Sequence, residues 1–167
     1  AVAVVDAKMI DEINILQATM RAMEMATRCL MDPDNCHAER YSEVSARHDG
    51  CYVVHHGEKI RKESCFALID GNRVPGDMPC EAESMVKGDS KEYLIAAASI
   101  LAKVSRDRIM HEYDITYPQY QLSKHKGYPT KAHMELVKQS GASPIHRRTF
   151  APLKHMQFDI EGEVVDE

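Results

Sequence analysis

Apolar and polar positions along this chain follow two periods, one that suits short strands and one that suits helices. AVAVV, residues 1–5, is an unbroken apolar run that predicts a strand, and Asp6 stands where a helix would start. Asn14, with Gln17 three residues on, has the form of a capping box, after which Ile15, Thr19, Ala22, Met23, Ala26 and Leu30 share one helical face. The methionines here read as core filler. Residues 32–50, DPDNCHAERYSEVSARHDG, are polar and patternless and read as a loop, whereas CYVVHHGEKIRKES reads as two short strands about a His-Gly turn. CFALID is a buried strand ending at Asp70-Gly71, and a second strand around Glu83 to Val86 ends at Lys87-Gly88-Asp89. A helix over 95–112 follows, and Thr130, after Pro129, can cap another that stops before Gly141. Strands alternating with helices give an α/β domain.

The helix over 95–112 has two unlike faces. Ala97, Ile100, Leu101 and Val104 form an apolar stripe, while Ser99, Lys103 and Asp107 recur every fourth position on another side. Such a polar face is either an ordinary solvated surface with an i,i+4 ion pair or a binding face.

Composition bounds these alternatives. A chain of 167 residues, 44% of them hydrophobic, is long enough for one domain with a real core. No apolar run approaches the roughly 20 residues of a membrane span. Five cysteines, odd in number and without CxxC spacing, suggest reduced thiols and an intracellular protein, in the cytoplasm or in a nucleus or organelle of a eukaryote. The sequence opens on a strand-like run without an initiator Met, which suggests a start inside a longer protein. The net charge of −5 is unevenly spread: residues 87–148 carry eleven Lys/Arg against six Asp/Glu, a net of +5. A basic segment in an acidic chain suits a phosphate backbone, though it is equally a solvated surface.

Asp70, at the end of an apolar strand, occupies the position where α/β folds place ligands, yet Asp-Gly is also a favoured turn pair. Asp70 taken with Asp107 gives a strand-end and a helix carboxylate near a basic segment. That pair suits a hard cation such as Mg²⁺ acting on a phosphodiester, a site that would be expected to add further carboxylates.

Six blocks carry a resemblance: DAKMIDEINILQATMRAMEMA, ALIDGNRVPG, MVKGDS, IAAASILAKVSRDRIM, YPQYQLSKHKGYPTKAH and IHRRTFAPLK. In this order they resemble ribonuclease HII, the type 2 ribonuclease H. The resemblance implies an RNase H-like mixed sheet flanked by helices and Mg²⁺- or Mn²⁺-dependent hydrolysis of the RNA strand in RNA/DNA hybrids, including ribonucleotides embedded in duplex DNA. It implies metal ligation by Asp70 and Asp107, matching the last two of four family carboxylates, and recognition of the ribonucleotide 2′-hydroxyl by Tyr128. Lys87, Lys103, Arg106, Lys124 and His125 are candidates for phosphate contact or for orienting the carboxylates.

The family's first Asp-Glu pair lies in a glycine- and arginine-containing motif that has no counterpart here, and Asp11-Glu12 belongs to a later block. The reading is therefore residues 1–158 as the C-terminal two-thirds of a catalytic domain, incomplete at the N-terminus, followed by an acidic tail over 159–167. By the family's strand order the remaining strands would not form one continuous sheet. Such a chain would be inactive alone, with Asp89 in KGDS the first substitute carboxylate to test. The alternative is a non-catalytic hybrid-binding or structural subunit. Residues 32–62 are an insert; with its flank it holds Cys36, His37, Cys51, His55, His56 and Cys65, whose spacing fits no standard zinc finger, so a surface hairpin is expected.

Overall fold

Asp6 starts a helix: its side chain accepts a hydrogen bond of 2.8 Å from Met9 N, and the computed structural model places α1 over Ala7–Met31. The described residues are 1–32, 51–54, 60–61, 65–151 and 153–155. The remaining elements are β1 (Val2–Val4), β2 (Tyr52–Val54), β3 (Phe66–Asp70), β4 (Glu81–Met85), α2 (Tyr93–Thr116), α3 (Leu122–His125) and α4 (Lys131–Ser140). Short 3-10 turns lie at Gly88–Ser90, Pro118–Tyr120 and Leu153–His155.

The expected cap at Asn14 exists, but inside α1. Asn14 breaks the helix at φ 68°, ψ 164°, and its Oδ1 accepts from Leu16 N at 3.0 Å and Gln17 N at 3.1 Å. Two helical segments thus meet at a kink, the second capped by Asn14. The buried positions of α1 are Ala18, Cys29 and Met31, while Ile15 and Thr19 are exposed, so its buried stripe differs from the one the periodicity predicts.

The strands form two separate pairs among the described residues, in accord with the expected break in the sheet. β1 runs antiparallel to β2, and β3 parallel to β4 with Asp70 opposite Met85. The β3–β4 crossover spans 71–80 without a helix and is held by α1: Arg28 pairs with Asp77 at 2.6 Å, and Asp77 N donates to Glu24 Oε1 at 3.1 Å. With one strand on one side only among the described residues, β3 is not the buried strand its apolar run predicts; Ile69 is buried and Phe66 is exposed.

The apolar stripe of α2 is largely exposed. Ile100 is 63% and Leu101 62% exposed, and the buried residues of α2 are Ile95 and Ile109. The tight core lies instead in the C-terminal third, where Tyr120, Leu122, Val137 and Leu153 pack with Tyr113, Tyr117, Ala142 and Ile145. Thr130 caps α4 as predicted, accepting from His133 N at 3.2 Å, and Gly141 follows at φ 74°.

Cys51, Cys65 and Cys80 are in no disulfide, and Cys29 is buried. Most of the predicted 32–62 insert and all of the 159–167 tail lie outside the described residues. Among the described residues no helix is long and apolar enough to cross a membrane.

Candidate active site

β3 delivers Asp70 to the sheet edge, where its Oδ1 accepts from Gly88 N at 2.8 Å. This close approach depends on glycine. A Cβ at position 88 would lie 2.6 Å from Ile95 Cδ1 and 3.4 Å from Asp70 Oδ1. Lys87, at φ 57°, turns the chain into the 3-10 segment and directs the following amide at Asp70. Asp89 therefore follows immediately on the residue that holds Asp70, and both aspartates are exposed.

Asp107 lies further along α2 than Ile95, the neighbour of Gly88. It follows Ile95 by more than three turns of α2, roughly 18 Å of helix axis. It is paired with Lys103 at 2.8 Å, and its carboxyl is held below the usual range first by that hydrogen bond and then by the charges of Lys103, Lys126 and Arg106. Lys103 is correspondingly raised. No group of three or more His, Cys, Asp or Glu suited to a metal occurs among the described residues.

Arg106, next to Asp107, reaches the loop after α3. Its guanidinium lies over the Tyr128 ring at 4.9 Å, and its buried Nη1 has no hydrogen-bond partner among the described residues. Tyr128 is 55% exposed, so the ring is backed on one side and open on the other. Lys124 is engaged with Gln121 Oε1 at 2.7 Å. His125 has both ring nitrogens occupied: Nε2 donates to Tyr120 O at 2.8 Å, and Nδ1 accepts from Gly127 N at 3.2 Å. It shapes the loop, and no ring nitrogen is left over for a phosphate. Lys87 stays exposed beside Asp70, and Lys103 is committed to Asp107. The predicted residues thus form two groups, Asp70 with Lys87 at the strand end and Asp107, Lys103, Arg106 and Tyr128 along α2.

Three residues outside the predicted site complete the picture. Asp11 accepts from Arg148 N at 2.7 Å and Thr149 N at 3.0 Å, tying α1 to the loop after α4. Its carboxylate thereby serves as an anchor. Arg147 stacks over Phe150 at 3.9 Å and is close enough to Arg106 for their charges to interact. His146 is mostly buried, and that burial, followed by the charges of His133 and His125, pushes it down to about 4. No motif announces these contacts, because each joins segments far apart in the chain.

A folded-state value near 4 against 6.5 unfolded means that the unfolded chain takes up the proton first as pH falls. Stability from neutral His146 is complete above pH 6.5 and is lost progressively towards pH 4, by up to about 3 kcal/mol. Urea titrations at pH 7, 6, 5 and 4.5 should show this decline, and a flat profile would contradict the burial of His146.

Comparison with known proteins bears on the whole arrangement. The Ribonuclease HII family model matches residues 45–153, which include β3, the Gly88 turn, α2 and the Tyr128 loop. The chain belongs to the ribonuclease HII family. Curated ribonuclease HII relatives include those of Marinomonas sp. (strain MWYL1), 40% identical over 92% of this chain, and Aliivibrio fischeri (strain MJ11), 44% identical over 90%. That of Pelodictyon phaeoclathratiforme (strain DSM 5477 / BU-1) is 43% identical over 90%. The alignments cover 60%, 58% and 58% of those relatives, so the chain spans under two thirds of a ribonuclease HII. The fold class is the RNase H-like α/β one, its helices flanking parallel and antiparallel strand pairs.

Proposed function

We propose that this chain forms the larger part of a metal-dependent endoribonuclease that hydrolyses the RNA strand of RNA/DNA hybrids and nicks at ribonucleotides embedded in duplex DNA. The observation that carries the reading is the exposed Tyr128 ring backed by Arg106. A phenol with one face free can stack on a sugar and hydrogen-bond a hydroxyl, and RNA differs from DNA by that hydroxyl. The adjacent guanidinium places a cation beside that ring, a charge that suits a neighbouring phosphate.

Asp70 offers exposed carboxylate oxygen, the donor type that Mg²⁺ or Mn²⁺ takes. When bound, the ion would polarise the scissile phosphodiester and favour attack by water. The structure's own geometry favours Asp89 as the companion of Asp70, because the Gly88 amide holds the two at one turn. Asp107, the companion implied by the resemblance, would first have to leave Lys103. Further carboxylates, such as an Asp-Glu pair, are to be sought in the part of the relatives' length that this chain does not span.

A second reading, a hybrid-binding subunit without catalysis, is favoured by one observation: no three metal-suited side chains group together among the described residues. Complementing the chain with the remainder of the Aliivibrio fischeri relative separates the two. The enzyme reading expects metal-dependent nicking of a duplex with one ribonucleotide. Tyr128→Ala should lower that nicking roughly 10- to 100-fold, the range for losing one stacking residue. Unchanged nicking by Tyr128→Ala would refute the role of Tyr128.

A further inference from the structure

The Tyr128 loop is backed by His125, His133 and His146, and hydrogen-bond partners fix the proton on the last two rings. Tyr128 O can only accept, so His133 Nδ1, 3.0 Å away, must carry a proton. Ser143 N can only donate, so His146 Nδ1, at 3.3 Å, must be bare; Ser143 Oγ lies 2.7 Å from the same nitrogen. A neutral His146 therefore has its proton on Nε2, which points at His133 Nε2 across 3.3 Å, and a neutral His133 has a lone pair there to receive it. The chain of donors runs in one direction, from Ser143 through His146 and His133 to the Tyr128 carbonyl. His125 stacks flat on His133 at 4.1 Å and 18°, and Tyr120 packs its ring 4.6 Å from His146.

We propose that His133 and His146 are positioning residues that set the Tyr128 ring for its substrate through this one-way relay, and that protonating the relay releases the loop. The inference rests on Tyr128 being the ribonucleotide sensor.

The physical argument is that each ring has one workable protonation state. A second proton on His146 would set N–H against the Ser143 amide, and one on His133 would set N–H against N–H at 3.3 Å. The ionisable groups around the relay work in the same direction. His125 comes from α3, and its charge, like that of His133, disfavours a charged His146. Tyr120 faces His146 from the 3-10 turn, and Arg147, beside it in the chain, keeps its cation over Phe150. Arg106 approaches Tyr128 from α2 on the other side of the loop. Burial and His125 also lower His133, against the raising effect of its Tyr128 bond. Loss of the His133–Tyr128 bond would leave the Tyr128 ring backed by Arg106 but without an anchor on its own backbone.

The test has a free-protein arm and a binding arm, both on the full chain at micromolar concentration. Hydrogen exchange is followed at amides 127–130, where Tyr128 N donates to His125 O and Thr130 N to Tyr128 O. His133→Leu should speed exchange there about fivefold, the equivalent of one ordinary hydrogen bond, with little change in α1. His133→Asn, whose amide can replace the Nδ1 donor, should restore it. In the second arm, the ratio of affinities for a duplex with one ribonucleotide and for the all-DNA duplex is measured from pH 7.5 to 5. The wild-type ratio should fall with pH; His133→Leu should have a low, flat ratio, and His133→Asn a high, flat one. Exchange in His133→Leu that is unchanged at 127–130, or raised equally everywhere, would overturn the proposal, as would a wild-type pH profile in His133→Leu. A Tyr128→Ala variant that keeps the full ratio would sink the sensor reading, while the exchange arm would still judge the relay.

Discussion

Asp70→Asn in the complemented protein is expected to lower metal-dependent nicking by roughly a thousandfold, the scale of losing several kcal/mol of charge stabilisation at a metal. The substitution keeps the side-chain volume and leaves an oxygen that can still accept from Gly88 N, so the 2.8 Å contact and the fold should survive. Circular dichroism and the urea midpoint should therefore match the parent. Two companion variants then assign the second ligand. Asp89→Asn should cause a loss of similar size, because Asp89 shares the turn that holds Asp70. Asp107→Asn removes a solvent-screened pair with Lys103 and should cost no more than about tenfold. A thousandfold loss at Asp107 with Asp89→Asn near parental would restore the Asp70–Asp107 pairing that the sequence implies. Full activity in Asp70→Asn would refute the metal site altogether.

That contest shows where sequence reading succeeds and where it stops. Local signals were legible because their physics is local: Asp6 and Thr130 cap helices, the LID run is a strand, and Asn14 accepts from the amides two and three residues on. The family was legible from six ordered blocks. The contact of Asp70 with the Gly88 amide was not, since it depends on a left-handed Lys87 and on a glycine that lets the chain approach within a Cβ's reach. His133 and His146 were hidden for a similar reason. Single histidines in a helix and a loop carry no periodic signature, and only the fold brings them within 3.3 Å. The stripe Ala97, Ile100, Leu101 and Val104 was legible as apolar but its exposure was not, because a periodicity reports which face seeks burial and not whether a partner is present.

That uncovered face sets the second large expectation. Leu94, Ile100, Leu101 and Phe66 are all more than half exposed, on a helix and a strand whose sequences are those of core elements. β3 and β4 each have a free edge among the described residues, with backbone groups that seek a partner strand. The 167-residue chain by itself should therefore bind an apolar dye such as anilinonaphthalene sulfonate strongly, self-associate as its concentration rises, and show no metal-dependent cleavage. Complementation with the remainder of a ribonuclease HII relative should abolish the dye signal and the association together with restoring nicking, because one added sheet segment would cover the stripe, pair the edges and bring the missing carboxylates. The strength of the test lies in that coupling. Dye exclusion without nicking would favour the hybrid-binding subunit, and nicking by the uncomplemented chain would mean that Asp70 and Asp89 find their further ligands within these 167 residues.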